Sequence, residues 1–389
     1  MITDVKVNSI DQSVAGTGGR TLTVKRKSEG GFETPSRPYS LPEFIAKSYL
    51  GFRGTLDGYL GAVQIDLHGS RLDHFNSING MYDRTRRTLI KYSDLTSCFD
   101  NFVILDVPPV NPLDDRALRI FFELQARSMY LQYMSVPPII TTKLDDFERI
   151  ISDYSNSAQG FQKGIVPQIA LNEAADVFKA KLDLLTRLAE TGEIQIINLV
   201  YADPDKSIQN YLEVWNHREI RALINVSGVP RSGKEVSPGV FETYQSRILG
   251  YGVDTTTPIR ETPSSKYVAS QLLKPRPTSL DGIDHFKWPI HPASAAINDQ
   301  TWRSMPTEFI ECDCKVCKAK KQDDLIGLYS REPNGLIEPS GMRYASNLHD
   351  ALSSQNELEL VRKMIRSAEM VEYVREKDLI RKEISAISR

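Results

Sequence analysis

The chain has 389 residues, of which 40% are hydrophobic and 25% charged, an ordinary balance for a globular protein in water. That length exceeds one small domain and suits one large barrel with an appendage. Its 48 basic and 50 acidic residues leave a net charge of −2, so bulk charge draws no nucleic acid and any such contact needs a local patch.

No apolar run approaches the ~20 residues of a membrane span. Met1-Ile2-Thr3-Asp4-Val5-Lys6 lacks the basic start and apolar stretch of a secretory signal, so a cytoplasmic protein is expected. Residues 1–30 are polar and rich in Gly and Ser, and read as a loose arm or short edge hairpin. From about residue 40, β-branched or apolar runs alternate with amphipathic stretches. Strands are expected at Leu60–Asp66, Phe102–Val107, Ile165–Leu171, Ile194–Tyr201, Ile220–Val226, Arg247–Val253 and Gly282–Phe286. Helices are expected at Asp115–Met134, Ala174–Glu190, Ile208–Trp215 and Ser265–Leu273.

Strands alternating with helices predict βα units on a parallel sheet. With a first strand near residues 35–45, the pattern predicts an α/β fold, a (β/α)8 TIM barrel over 31–300. The barrel is preceded by the 1–30 arm and followed by a zinc-binding segment with C-terminal helices over 301–389. An open doubly wound sheet is the alternative, but no Gly-rich phosphate turn follows the first strand. Chemistry in a barrel sits at strand C-termini, which directs attention to Asp66, Asp106, Gln168, Ser227, Gly228 and Asp284.

Three of the four cysteines stand together as Cys312, Cys314 and Cys317, with His349 downstream. Three thiolates at ~2.3 Å and one imidazole at ~2.0 Å fill a tetrahedral zinc site and leave no position for catalysis, so a structural Zn2+ is expected. Cys98 stands alone and reads as a buried or idle thiol. Lys315, Lys318, Lys320 and Lys321 surround the thiols and form the best-placed basic patch for a nucleic-acid backbone; Lys25-Arg26-Lys27 and Arg84-Thr85-Arg86-Arg87 read as solvated runs. A long helix is expected from about Asn347, with Leu352, Leu360, Met364, Met370, Val371 and Val374 on its packing face.

Taken together, these segments resemble the guanine transglycosylases, which exchange guanine for a 7-deazaguanine. The thiol cluster followed by Asn347-Leu348-His349 is similar to the C-x-C-x2-C and helix-opening His of that family. Thr34-Pro35 with Pro38-Tyr39-Ser40 resembles its entry strand, and Val103–Pro109 its strand ending in a base-reading Asp. Ile165-Val166-Pro167-Gln168 resembles a base-binding segment, and Leu223–Gly228 a Gly-containing strand that approaches the base. Leu249–Gly252 and Gly282–Phe286 are similar to the family's last two barrel signatures.

The resemblance implies a pentosyltransferase. A carboxylate attacks C1′ of the nucleoside and expels guanine, holding the sugar as an ester. A second carboxylate protonates the leaving base and deprotonates the incoming one. It implies Asp66 as acid and base, Asp284 as nucleophile (Asp281 being the alternative), Asp106 as reader of the base edge, and Gln168, Ser227 and Gly228 as further base contacts. Two departures stand out. The family has D-S-G-G-F where this chain has Asp66-Leu67-His68-Gly69-Ser70, and an Asp where this chain has Lys287. His285 and His291 read as surface or packing residues on the same loop, and Trp288 and Trp302 as packing residues able to stack on a base.

The chain ends about forty residues after His349, short of the RNA-binding domains that archaeal tRNA members carry. Together with the divergent motifs, this favours the DNA-modifying branch of bacteria and phages. The expected partners are DNA (tRNA being the alternative), a free 7-deazaguanine base of the preQ0 type, and a second copy of the chain if it dimerises. For a phage-encoded protein the compartment is the host cytoplasm. A silent paralogue subunit is the competing expectation, on the strength of Lys287, and a zinc-stabilised barrel hydrolase is another that would need an open metal site.

Overall fold

The computed structural model describes residues 1–27 (14 and 17 apart), 31–38, 115–126, 131–229, 235–237, 240–241, 248–258 and 358–376, the strand backbones 61–66 and 101–106, and positions 87 and 355. Its first element is a hairpin, the second of the two forms expected of residues 1–30, and not a loose arm. Strand β1 (Ile2–Asp11) pairs antiparallel with β2 (Gly19–Arg26), which pairs with β3 (Gly31–Glu33). Ile2, Val5, Leu22, Val24 and Phe32 are buried on this sheet while Asp4, Lys6 and Lys25 face water, the period-two pattern of a half-buried sheet.

The remaining strands are mostly parallel. β4 (Gly61–Asp66) pairs with β5 (Asn101–Asp106), and β5 lies beside β6 (Tyr133–Ser135). β6 pairs with β7 (Gly164–Val166), whose run continues as β8 (Gln168–Ala170). β8 pairs with β9 (Ile196–Val200), and β9 with β10 (Leu223–Val229). After a short antiparallel hairpin of β11 (Glu235–Ser237) and β12 (Val240–Phe241), β13 (Thr255–Pro258) pairs parallel with β10. Ser36 bridges Thr255, again in parallel. The fold is therefore mixed α/β with parallel sheets. Among the described residues these sheets do not form a closed ring.

Helices cover one face of the parallel strands. α1 (Asp115–Ala126) and α2 (Leu144–Gly160) flank β6; α3 (Ala175–Glu190) follows β8 and α4 (Ile208–Asn216) follows β9. Phe147, Ile150, Ile151, Tyr154 and Ala158 line the buried stripe of α2, and Phe178, Leu182, Leu185 and Ala189 that of α3, at helical spacing. They pack with Ile169, Ile197, Leu199, Ile224 and Val226, the outward residues of β8, β9 and β10. Each large side chain so buried contributes about 1.5–3 kcal/mol. The opposite strand face begins with Tyr133, Val166, Ile196 and Leu223, which pack against the antiparallel sheet. That sheet thus covers the N-terminal end of the parallel strands.

Three expected elements differ. The helix from Asp115 stops at Ala126, and Tyr133–Ser135 is strand. Arg247–Val253 is not a strand over its described part: 248–252 form a helical turn closing on Gly252 (φ +80°), and the strand is β13 just beyond. The C-terminal helix is broken. Helical residues 358–367 (α5) end at Ala368, which takes φ +58°, and α6 (Met370–Glu376) follows. The buried face there is Leu358, Val361, Ile365, Met370 and Tyr373, whereas Leu360 is exposed. Gly282–Phe286 and Ser265–Leu273 lie outside the described residues.

Candidate functional site

Parallel, in-register strands carry their C-terminal residues to one end of the sheet. Residues two apart on a strand share a face, so above Ile196 come Asn198 and Val200, and above Leu223 come Asn225 and Ser227. The register aligns Gln168, Asn198, Asn225 and Thr255 as one row across four strands, and Ser36 bridges its last member. Ala170, Val200, Ser227 and Thr257 form the next row. The apolar floor against the antiparallel sheet therefore gives way to a polar layer toward the strand C-termini.

The polar side chains of the two rows are hydrogen-bonded to one another. Asn198 Nδ2 donates to Gln168 Oε1 and to Ser227 Oγ, both at 2.9 Å. Asn225 Nδ2 donates to Asn198 Oδ1 at 2.7 Å. Asn225 Oδ1 accepts from the hydroxyls of Thr255 at 2.8 Å and Thr257 at 3.2 Å. All six side chains are buried. Amides and hydroxyls thus link four neighbouring strands through a neutral, buried hydrogen-bond network.

Gly228 ends this row with φ +77° and interrupts the β10–β13 register, a bulge conformation that glycine adopts without strain. Among the described residues, a Cβ built there would meet only Tyr201 Cβ, 3.9 Å away. Tyr201 N donates to Ser227 O at 2.9 Å, holding the two strand ends together.

The loops at this end are braced by polar side chains. Asn210 of α4 donates to the carbonyls of Leu171 and Glu173 at 2.9 and 2.8 Å. Buried Lys181 donates to Ile139 O at 2.9 Å and pairs with Glu173 at 2.6 Å. Gln125 of α1 donates to Ser135 O and accepts from Ser135 N, fixing the end of β6.

Of the expected site residues, Gln168, Ser227 and Gly228 lie together on adjoining rows. Asp66 and Asp106 are the last residues of β4 and β5 and are register partners of one another. Asp284, Lys287, Cys312, Cys314, Cys317, His349 and the lysines at 315, 318, 320 and 321 lie outside the described residues. Among the described residues no group of three or more His, Cys, Asp or Glu side chains could hold a metal ion, and no helix is long and apolar enough to cross a membrane. Sequence reasoning passed over Asn198, Asn225, Thr255 and Thr257. Their signal was a polar residue at alternate positions of an otherwise apolar strand, as in Ile224-Asn225-Val226-Ser227. Compared with protein-family models and with curated proteins, the chain matches none.

Proposed function

We propose that the chain is a guanine transglycosylase that exchanges guanine in DNA for a 7-deazaguanine. The observation that carries the reading is the polar row of Gln168, Asn198 and Asn225, flanked by Ser227 and Gly228 at the C-terminal ends of parallel strands. Active sites of βα barrels occupy that end. Barrel closure is part of the proposal. Ser36, β4, β5, β6, β7–β8, β9, β10 and β13 supply eight positions in chain order, and the Ser36–Thr255 bridge joins the first to the last.

In this reading a carboxylate attacks the nucleoside C1′ as the glycosidic bond breaks, giving a sugar ester and releasing guanine. Asp66 gives its proton to the departing base. Asp66 then takes a proton from the incoming deazaguanine, which attacks C1′ and restores the carboxylate. Asp106 reads the base edge one strand away, ~4.8 Å in the sheet direction. Asp284 serves as the nucleophile from a segment that follows the eighth strand position. The three thiols and His349 hold a structural zinc whose four protein ligands leave it no part in catalysis. The neighbouring lysines hold the DNA backbone, which makes binding salt-dependent.

The test is exchange of radiolabelled guanine into duplex DNA and bulk tRNA, with Asp66→Ala, Asp284→Ala and Lys287→Ala beside the wild type. Label enters DNA and is lost with the two Asp variants but not with Lys287→Ala. Label in tRNA alone moves the substrate and keeps the chemistry. No label in either, from folded zinc-loaded protein, supports the second reading, a silent paralogue subunit, which Lys287 in place of the family's Asp favours.

A further inference from the structure

The antiparallel sheet has two edges, and they differ. β3 is three residues long, and α5 reaches its end, where Arg366 pairs with Glu33 and Arg362 donates to Pro35 O at 2.8 Å. β1 is ten residues long. Among the described residues, no backbone hydrogen bond other than those to β2 reaches Thr3–Ile10, and Thr3, Asp4, Lys6 and Asn8 are exposed. An uncovered strand edge is a template on which another strand can pair.

The charges on β1 decide which strand fits. Register shifts at Ile2/Asp4 and Val7/Ser9 leave Asp4–Val7 as the regular stretch, in which Asp4 and Lys6 face water and Val5 is buried. A second β1 laid antiparallel must set exposed residues opposite exposed ones, because an odd shift turns a charge onto the buried face. Centred on Asp4 or on Lys6, the pairing puts a residue against its own charge. Centred on Val7, only Val7 itself stays within the regular stretch. Centred on Val5, it sets Asp4 against the partner's Lys6 and Lys6 against the partner's Asp4, with the two valines paired at the axis. Only that register is attractive. Both charges have room for it: Lys6 is in no ion pair among the described residues, and Asp4 has one exposed contact, with Lys25 at 3.5 Å.

We propose that two copies of the chain join along β1 about a two-fold axis at Val5, making one six-stranded sheet. The interface is isologous, each copy giving the same edge. The sheet covers the N-terminal end of the parallel strands, so the joint lies at the end opposite Ser227 and Gly228. It does not depend on the base-exchange reading.

The test is sedimentation velocity of the full chain, up to its solubility limit, for wild type, Asp4→Lys, Lys6→Asp and the two substitutions combined. Wild type forms a dimer as concentration rises. Each single swap sets like charges opposite one another twice per dimer and weakens association by roughly tenfold or more. The combined variant exchanges the two signs and recovers the wild-type association. Wild type that stays monomeric overturns the proposal. So does a dimer indifferent to the single swaps, or one that the combined variant fails to recover. If the variants do not fold, hydrogen exchange of the wild type decides: the amides of Asp4–Val7 slow as the dimer forms, and unchanged exchange in the dimer overturns the inference.

Discussion

Arg20 of the antiparallel sheet and Asp254, at the entrance to β13, form a fully buried ion pair. Arg20 Nε donates to Asp254 Oδ1 at 3.0 Å, and the same guanidinium donates to the carbonyls of Arg218, Ile220 and Ala222 at 2.8–2.9 Å. Burial pushes the Asp254 carboxyl upward, while Arg20, the Ile224 amide at 2.7 Å and the Thr34 hydroxyl at 3.1 Å favour its charged form. One planar fork thus ties the sheet to the bases of β10 and β13. Arg20→Met leaves the carboxylate and three carbonyls without this partner and should cost about 3–5 kcal/mol. Arg20→Lys should recover little, because an ammonium cannot span four acceptors. Urea unfolding midpoints at constant slope measure both.

The polar row should be graded in stability. Asn198→Leu strips partners from Gln168 Oε1, Ser227 Oγ and Asn225 Nδ2, so a loss of about 3 kcal/mol is expected. Thr255→Val removes one of two hydroxyls from Asn225 Oδ1, Thr257 remaining, and should cost about 1 kcal/mol. Comparable losses in the two variants would contradict a connected ladder. Thermal unfolding of the two proteins side by side gives the comparison.

Lys163 supplies a pH signature. Its Nζ donates to Gln125 O at 2.7 Å and Ala126 O at 3.3 Å, at the end of α1, and desolvation lowers its pKa to about 8. Between that value and the ordinary lysine range near 10.5, the unfolded chain holds a proton that the folded chain has released. Stability must therefore rise with pH across this window, relative to a protein without the group. The difference in stability between wild type and Lys163→Met should grow in the wild type's favour from pH 7 to pH 10. A flat difference would show that Lys163 titrates normally.

Cys314→Ser removes one of four expected zinc ligands and should lower both metal content and solubility. Elemental analysis of the purified variant checks the first, and recovery in the soluble fraction the second. Full zinc loading and unchanged recovery would remove the thiol cluster from the metal reading.

Burial on two faces explains what could be read beforehand. Ile196–Val200 and Leu223–Val229 were legible because parallel strands covered by helices are nearly continuous in β-branched and apolar residues. β13 was not, since Thr255, Thr256 and Thr257 look like loop until the inner face is known to be polar. The expected strand at Arg247–Val253 failed on its glycines: Gly250 packs against Gly16 too closely for any side chain, and Gly252 needs a positive φ. The helix from Asp115 ran too long because no Gly or Pro stands between Ala126 and Met134 to mark the change of period. At the N-terminus the alternation in Ile2–Asp11 left a hairpin as one of two readings, because the surrounding polar residues equally suited a loose arm. Of the candidate site, Gln168, Ser227 and Gly228 were singled out from local motifs, whereas Asn198 and Asn225 acquire meaning only when strand register brings them into one row.

The last described helices dock on the N-terminal sheet. Arg362 donates to Pro35 O at 2.8 Å, Arg366 pairs with Glu33, the Met370 amide donates to Asp11 at 3.0 Å, and the Ile365 side chain fits against Gly19 where any Cβ would collide. During synthesis, the first strands leave the ribosome long before residues 358–376 exist to cover them. Until then Asp11 and Pro35 lack these partners, and the sheet is held by its own pairing and whatever parallel strands have followed. Consolidation of this contact therefore waits until residues 358–376 have been made, and contacts of such long sequence separation form slowly. A nascent chain stalled before residue 358 should expose this surface to chaperones, and release of the last helices should withdraw it.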